Sequence, residues 1–214
     1  MLRIFYISLV AISLASCSQS RLQDDSASAP QRWETHQQAA SVYNNWDMQA
    51  RAVVRLQGEA YNLGIQWREA EGERVILLQA PFGQGVIRLE SIAGNQYRLA
   101  LPDGRVLRNQ SPEALLDSVI GWSIPVSGLH YWIRGLPKPV AAYTRRLNEM
   151  GTARRLKQDE WSIEYQDYFE STAGLRLPRR IDLTYDQILI RIVIERWQAA
   201  TFEESQGDLF PEFN

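Results

Sequence analysis

The side chains that most often do chemistry are scarce in this chain. It holds two histidines, His36 and His130, and one cysteine, Cys17. That set rules out a Cys- or His-rich zinc site, which needs about four such ligands, and it rules out an intramolecular disulfide. Neither histidine falls in a His-x-x-x-His or Glu-x-x-His pattern, so no metal pair on one helix face is present. Ser123 follows Gly121-Trp122 but leads into Ile124-Pro125, which is not the glycine-flanked serine of a hydrolase elbow. The phosphate-cradling and dinucleotide-binding glycine patterns are missing, and Gly83-Gln84-Gly85 reads as a turn between strands. Nothing singles out a pair of acids for glycoside hydrolysis. Each histidine reads as a cap, a surface group or a packing group. No catalytic residue, metal or cofactor is expected.

Cys17 is the exception. Arg3 supplies a positive start, and Ile4 to Ala15 is an apolar run broken only by Ser8 and Ser13. The run is too short for a comfortable membrane span and has the layout of a secretory signal. Leu14-Ala15-Ser16-Cys17 resembles the lipobox of bacterial lipoproteins. In such precursors the thiol is diacylated, the signal is cut before it, and the new amino group is acylated. The plainer alternative is an ordinary signal peptide with an incidental cysteine. Several acyl chains hold a protein far better than one, because each buried methylene contributes about 0.8 kcal/mol. Residues 1–16 are therefore expected to be a signal peptide and 17–29 a lipidated tether of Ser, Gln, Asp and Ala. Ser18 is not the Asp that resembles an inner-membrane retention signal, so an outer-membrane address with the domain facing the periplasm is expected.

Composition narrows the remainder. Of 214 residues, 45% are apolar and 22% charged, which excludes long disorder, collagen-like repeats and a coiled coil. Acids outnumber bases 25 to 23. With no basic excess, a nucleic-acid partner is not expected, since binding would have to neutralise several phosphates. Length suits one domain, expected over 30–198, with a polar C-terminal tail over 199–214. Seven Trp and nine Tyr are many for this length.

Periodicity supplies the elements. A helix is expected from Pro30 to Asn44, where Trp33, His36, Ala40 and Tyr43 recur at helical spacing. From Trp46 the period becomes two: Trp46, Met48, Ala50, Ala52, Val54 and Leu56 alternate with Asp47, Gln49, Arg51, Val53 and Arg55, and Tyr61, Leu63, Ile65 and Trp67 alternate with Asn62, Gly64 and Gln66. Glu69–Glu73 is expected to turn the chain, and short strands follow at Val75–Gln79, Val86–Ser91, Gln96–Leu101 and Arg105–Arg108. This close spacing leaves no room for crossover helices, so the sheet must be an antiparallel meander. Ser111-Pro112-Glu113 opens a helix to about Ile120, and Ser127 or Gly128 opens a short one closed by Gly135. Strands resume at Tyr143–Leu147, Gly151–Gln158, Trp161–Tyr168, Arg180–Tyr185 and Ile188–Trp197. The aromatic excess fits either a large ordinary core or a concave sheet with helices over a greasy hollow.

The run from Gln31 to Trp197 resembles the LolB family of outer-membrane lipoprotein receptors. The likeness rests on Trp33-Glu34-Thr35-His36-Gln37-Gln38, on Leu77-Leu78-Gln79-Ala80-Pro81-Phe82-Gly83, and above all on Gly121-Trp122-Ser123-Ile124-Pro125-Val126 followed by Leu129 and Tyr131 to Pro137. Leu156 to Trp161, Ile163-Glu164-Tyr165 and Leu177 to Ile181 also fit. The resemblance implies a mainly β fold with helices: an incomplete antiparallel barrel of eleven strands, covered by helices and enclosing an apolar cavity. It implies that acylated lipoprotein cargo arrives from the periplasmic carrier LolA and passes to outer-membrane phospholipid without nucleotide hydrolysis, on a monomer. It also implies a membrane-insertion loop at Pro81, Phe82 and Gly83, where family members more usually carry Leu at the tip.

Candidates for the acyl cavity are Trp46, Met48, Tyr61, Leu63, Trp67, Leu78, Leu89, Trp122, Ile133 and Trp161. Arg134 and Arg145 are candidates for contact with cargo or carrier, a solvated surface role being the alternative. The competing reading of the whole chain is a membrane-anchored envelope assembly or interaction lipoprotein that binds no acyl chain.

Overall fold

A computed structural model describes residues 28–79, 85–170 and 175–200. Eleven strands form one sheet in the order β6-β5-β4-β3-β2-β1-β11-β10-β9-β8-β7, and every neighbouring pair is antiparallel. The strands are β1 (Trp46–Leu56), β2 (Glu59–Ala70), β3 (Glu73–Gln79), β4 (Val86–Ile92), β5 (Gln96–Ala100), β6 (Val106–Asn109), β7 (Tyr143–Leu147), β8 (Ala153–Gln158), β9 (Trp161–Glu170), β10 (Arg176–Tyr185) and β11 (Ile188–Ala199). The sheet is not closed: β6 and β7 are its two edges. Three helices accompany it among the described residues, α1 (Ala29–Val42), α2 (Pro112–Ile120) and α3 (Val126–Trp132). The expected meander and its later strands are all present.

Alternation decides which face is inside. On β1, Trp46, Met48, Ala50, Ala52 and Val54 are buried, and on β11 Ile190, Ile192 and Ile194 join them. Ile181 and Leu183 of β10 and Trp161, Ile163 and Tyr165 of β9 extend the same apolar face. Leu115 and Leu116 of α2 and Val126, Leu129 and Trp132 of α3 belong to that cluster, so the α2–α3 segment packs on the inner face. On β1 every second side chain from Trp46 to Val54 is buried and most of those between are polar, as a wet outer surface requires.

Local chemistry fixes the ends. Ser28 caps α1 reciprocally: its hydroxyl accepts from the Gln31 N–H, and the Gln31 side chain accepts from the Ser28 N–H at 2.8 Å. The cap satisfies donors the first turn would leave open, so α1 starts directly after Ser28. Ala199 ends β11, and the N–H of Ala200 donates to the carbonyl of Asn45.

The turn expected over Glu69–Glu73 is shorter than that. Strand pairing persists to Ala70–Glu73, and only Glu71 and Gly72 turn, both at positive φ. That conformation matches the twist of the flanking strands, and it draws Glu69 into the sheet.

Candidate functional site

Two kinds of space lie against the inner face. The larger is a hollow of about 500 Å³ at one end of the barrel, walled by Tyr61, Leu63, Leu78, Ile87, Trp122 and Ile124, with Pro102, Asp103 and Arg105 at its rim. A volume of this order is typical of small-ligand sites, roughly 300–1,000 Å³. The smaller is a wholly apolar gap of about 40 Å³ deeper in, between Ala52, Val54 and Ile192 of the sheet and Leu116, Val126 and Leu129 of the helices. The small side chain of Ala52 on the central strand leaves that gap open. Leu63, Leu78, Trp122 and Ile124 border both spaces. The hollow and the gap therefore adjoin at these four side chains.

The ten positions expected to line a cavity lie on the strands, in the link between α2 and α3 (Trp122) or at the end of α3 (Ile133), and they divide. Tyr61, Leu63, Leu78 and Trp122 wall the hollow. Trp67 borders the deeper gap. Trp46, Met48, Leu89, Ile133 and Trp161 are packed into the core away from both, none more than 7% exposed. Cys17 and the loop residues Pro81, Phe82 and Gly83 lie outside the described residues.

Polar groups are gathered at the opposite end of the sheet. Glu69 of β2, 7% exposed, accepts from the indole N–H of Trp67 at 2.8 Å and from the Arg74 guanidinium of β3. His130 of α3 places Nδ1 3.1 Å from the same carboxylate oxygen. The other nitrogen, Nε2, faces Nη2 of Arg134 at 3.2 Å. An arginine can only donate, so Nε2 must accept and Nδ1 must carry the proton given to Glu69. His130 is therefore held neutral. Burial lowers its pKa against the opposing pull of Glu69. Burial pushes the Glu69 carboxyl up, but His130 and Arg74 outweigh it and the net shift is downward.

Arg134 is not available to cargo or carrier. It is 2% exposed, and its guanidinium donates to the carbonyls of Ala40 and Tyr43 at the end of α1 at 3.2 and 2.9 Å and to that of His130 at 3.1 Å. A cation there satisfies carbonyls that the last helical turn leaves free. Arg145 is exposed and lies over the ring of Trp33, its guanidinium carbon 5.2 Å from the centroid. Neither histidine is part of a metal cluster, and among the described residues no group of three His, Cys, Asp or Glu is placed to hold a metal ion. Among the same residues no helix is long and apolar enough to cross a membrane.

The open antiparallel sheet with helices on its inner face is a fold shared with proteins of known structure. A LolA superfamily protein from Nitrosomonas europaea superposes with a TM-score of 0.52 at 9% identity, over 82% of this chain and 95% of that one. A DUF1329 family protein from Desulfovibrio piger gives 0.50 at 7% identity, over 81% and 92%. Sequence carries the assignment further. The family model described as "Outer membrane lipoprotein LolB" matches residues 44–197. The outer-membrane lipoprotein LolB of Nitrosococcus oceani is 34% identical over 92% of this chain and 97% of its own length. That of Pseudomonas paraeruginosa is 35% identical over 78% and 81%. The chain belongs to the LolB family.

Proposed function

We propose that this protein is an outer-membrane lipoprotein-localisation factor, not an enzyme. It takes acylated lipoproteins from the periplasmic carrier LolA and places them in the inner leaflet of the outer membrane. The observation that carries this reading is the hollow of about 500 Å³ with Leu63, Leu78, Ile87, Trp122 and Ile124 in its wall. Family membership and the LolA-like fold support the partner.

The energetics need no nucleotide. An acyl chain exposed to periplasmic water costs roughly 0.8 kcal/mol per methylene. Two hollows meeting mouth to mouth exchange chains without wetting them. Direction follows from tighter binding by the receptor than by the carrier, and release into the bilayer is downhill again. Residues 1–16 are the signal and Cys17 is the lipidated anchor. Phe82, between Pro81 and Gly83, is the apolar tip that meets lipid at delivery. The protein works as a monomer, since one hollow serves one cargo.

The test is a transfer assay. A lipoprotein bound to the carrier is offered to this protein, with Cys17 replaced, in the absence of ATP. Transfer is expected, and Phe82→Glu should accept cargo yet fail to place it in vesicles. No transfer to the intact domain would overturn the reading; unimpaired placement by Phe82→Glu would remove the role of the loop.

A further inference from the structure

Val140 is the most exposed large hydrophobic residue among those described, at 108% of its reference area, and its φ is 67°. A β-branched residue is seldom found in that conformation, which crowds Cβ against the backbone. The loop around it is nevertheless held firmly. Gln158, 3% exposed at the end of β8, accepts the Lys138 N–H at 2.7 Å and the Trp132 indole N–H at 3.0 Å. The same amide donates to the carbonyls of Lys138 and Ala141 at 2.8 and 3.2 Å. Pro137 and Pro139 stiffen the segment on either side of Lys138. A strained apolar tip that buries nothing gives folding no benefit, yet three hydrogen bonds to Gln158 present it.

Its position supplies a use. Strand register places Tyr143 opposite Gln158, Gln158 opposite Trp161, Tyr185 opposite Ile188 and Leu56 opposite Glu59. The Val140 loop therefore shares one end of the sheet with Tyr61 and Tyr185, which are 45% and 37% exposed. That is the end at which the hollow lies, since Tyr61 is in its wall. Tyr185 stacks on Trp161 with centroids 5.3 Å apart, leaving an apolar body with a wet tip. Charges on this rim are partly neutralised: Lys138 pairs with Asp159 and Arg105 with Asp103, while Glu59 accepts from the Tyr61 hydroxyl. Glu160 and Asp186 are exposed acids in the two neighbouring turns, and anionic headgroups would repel them.

The geometry points to this rim as a lipid-contact surface. Val140 is a second apolar peg, Tyr61 and Tyr185 are interfacial flanks, and the partner is the surface of a zwitterionic phospholipid membrane. The inference rests on the transfer reading in one respect: chains leaving the hollow for lipid must cross this end. Tyrosines suit the headgroup layer, where one side of the ring is apolar and the hydroxyl stays wet.

The test uses the full acylated chain in vesicles of phosphatidylethanolamine and phosphatidylcholine. A polarity-sensitive fluorophore is attached in turn to Val140→Cys and to Val42→Cys. Val42 is 76% exposed at the end of α1, by the opposite end of the sheet. A blue shift and quenching by brominated lipid at 140 but not at 42 are expected. Emission that stays aqueous at 140, or shifts only when the carrier is added, overturns the inference; the second result would assign the peg to a protein contact. Val140→Gly guards against misfolding, because glycine accepts this φ. Its melting temperature should not fall, cargo should still be accepted, and delivery to vesicles should slow. Delivery at the unaltered rate would overturn the role. If the unsubstituted protein accepts no cargo while the 140 probe enters lipid, transfer fails and the rim contact stands.

Discussion

Nδ1 of His130, on a helix, donates to Glu69, on a strand, across 3.1 Å of the barrel interior. The contact joins residues 61 positions apart and ties α3 to β2. It is also where the interior accommodates a carboxylate, because Arg74 and the Trp67 indole share it.

Removing that carboxylate should be severe. Glu69→Ala leaves the Arg74 charge and two N–H donors without their acceptor in a buried site. The expected loss is about 3 kcal/mol or more, read from urea or thermal unfolding. A double-mutant cycle with His130→Ala should show a coupling energy above about 0.5 kcal/mol. Additive losses would mean that the pair does not act as a unit.

Acid should weaken the fold through His36. Its pKa is lowered from 6.5 to about 4, chiefly by burial and then by the nearby Arg176, and Nε2 has no hydrogen-bond partner among the described residues. Between those values the unfolded chain binds a proton that the folded chain excludes. Stability from this site is therefore full above pH 6.5, falls as pH drops toward 4, and levels off below. The drop is about 3 kcal/mol. His36→Gln should flatten the pH dependence of unfolding in that window; an unchanged slope would assign it elsewhere.

Gly128 should not tolerate a methyl group. A Cβ there would stand 2.5 Å from the ring of Trp132 one turn on. The ring is 1% exposed and its N–H is committed to Gln158, so it cannot swing away. Gly128→Ala should cost on the order of 1–3 kcal/mol despite alanine's better helix propensity. Equal melting temperatures for the two proteins would contradict this.

Filling the hollow should separate binding from folding. Leu63 is half-buried in its wall, so Leu63→Trp adds bulk where there is room. Stability should change by less than about 1.5 kcal/mol, while binding of a fluorescent fatty acid should weaken at least roughly tenfold, a difference of about 1.4 kcal/mol. Full binding with the larger side chain would move the acyl site elsewhere.

The strands were legible because a half-buried strand writes its period directly into the chain. Trp46 to Val54 shows this, every second side chain being buried. The start of α2 was legible for a similar local reason: Ser111 accepts from the Ala114 N–H, as a cap three residues ahead should. Glu69 was not legible. The run Arg68-Glu69-Ala70-Glu71-Gly72-Glu73 looks like a solvated turn, and the partner that holds it inside comes from α3. Arg134 misled for the same reason, since the carbonyls it caps belong to α1. The division of the aromatic residues was equally hidden. Trp46 and Trp122 have the same chemistry, but sheet curvature and helix placement put one in the core and the other in the wall of the hollow.

The unjoined edges β6 and β7 bear on capacity. In a closed barrel, girth is fixed by a continuous ring of backbone hydrogen bonds. Here the order of strands stops at β6 and at β7, so widening the ring breaks no ladder. What resists expansion is side-chain contact between the α2–α3 segment and the inner face. A sheet with such a seam can widen around whatever lies against its inner face and keep every strand pairing it has.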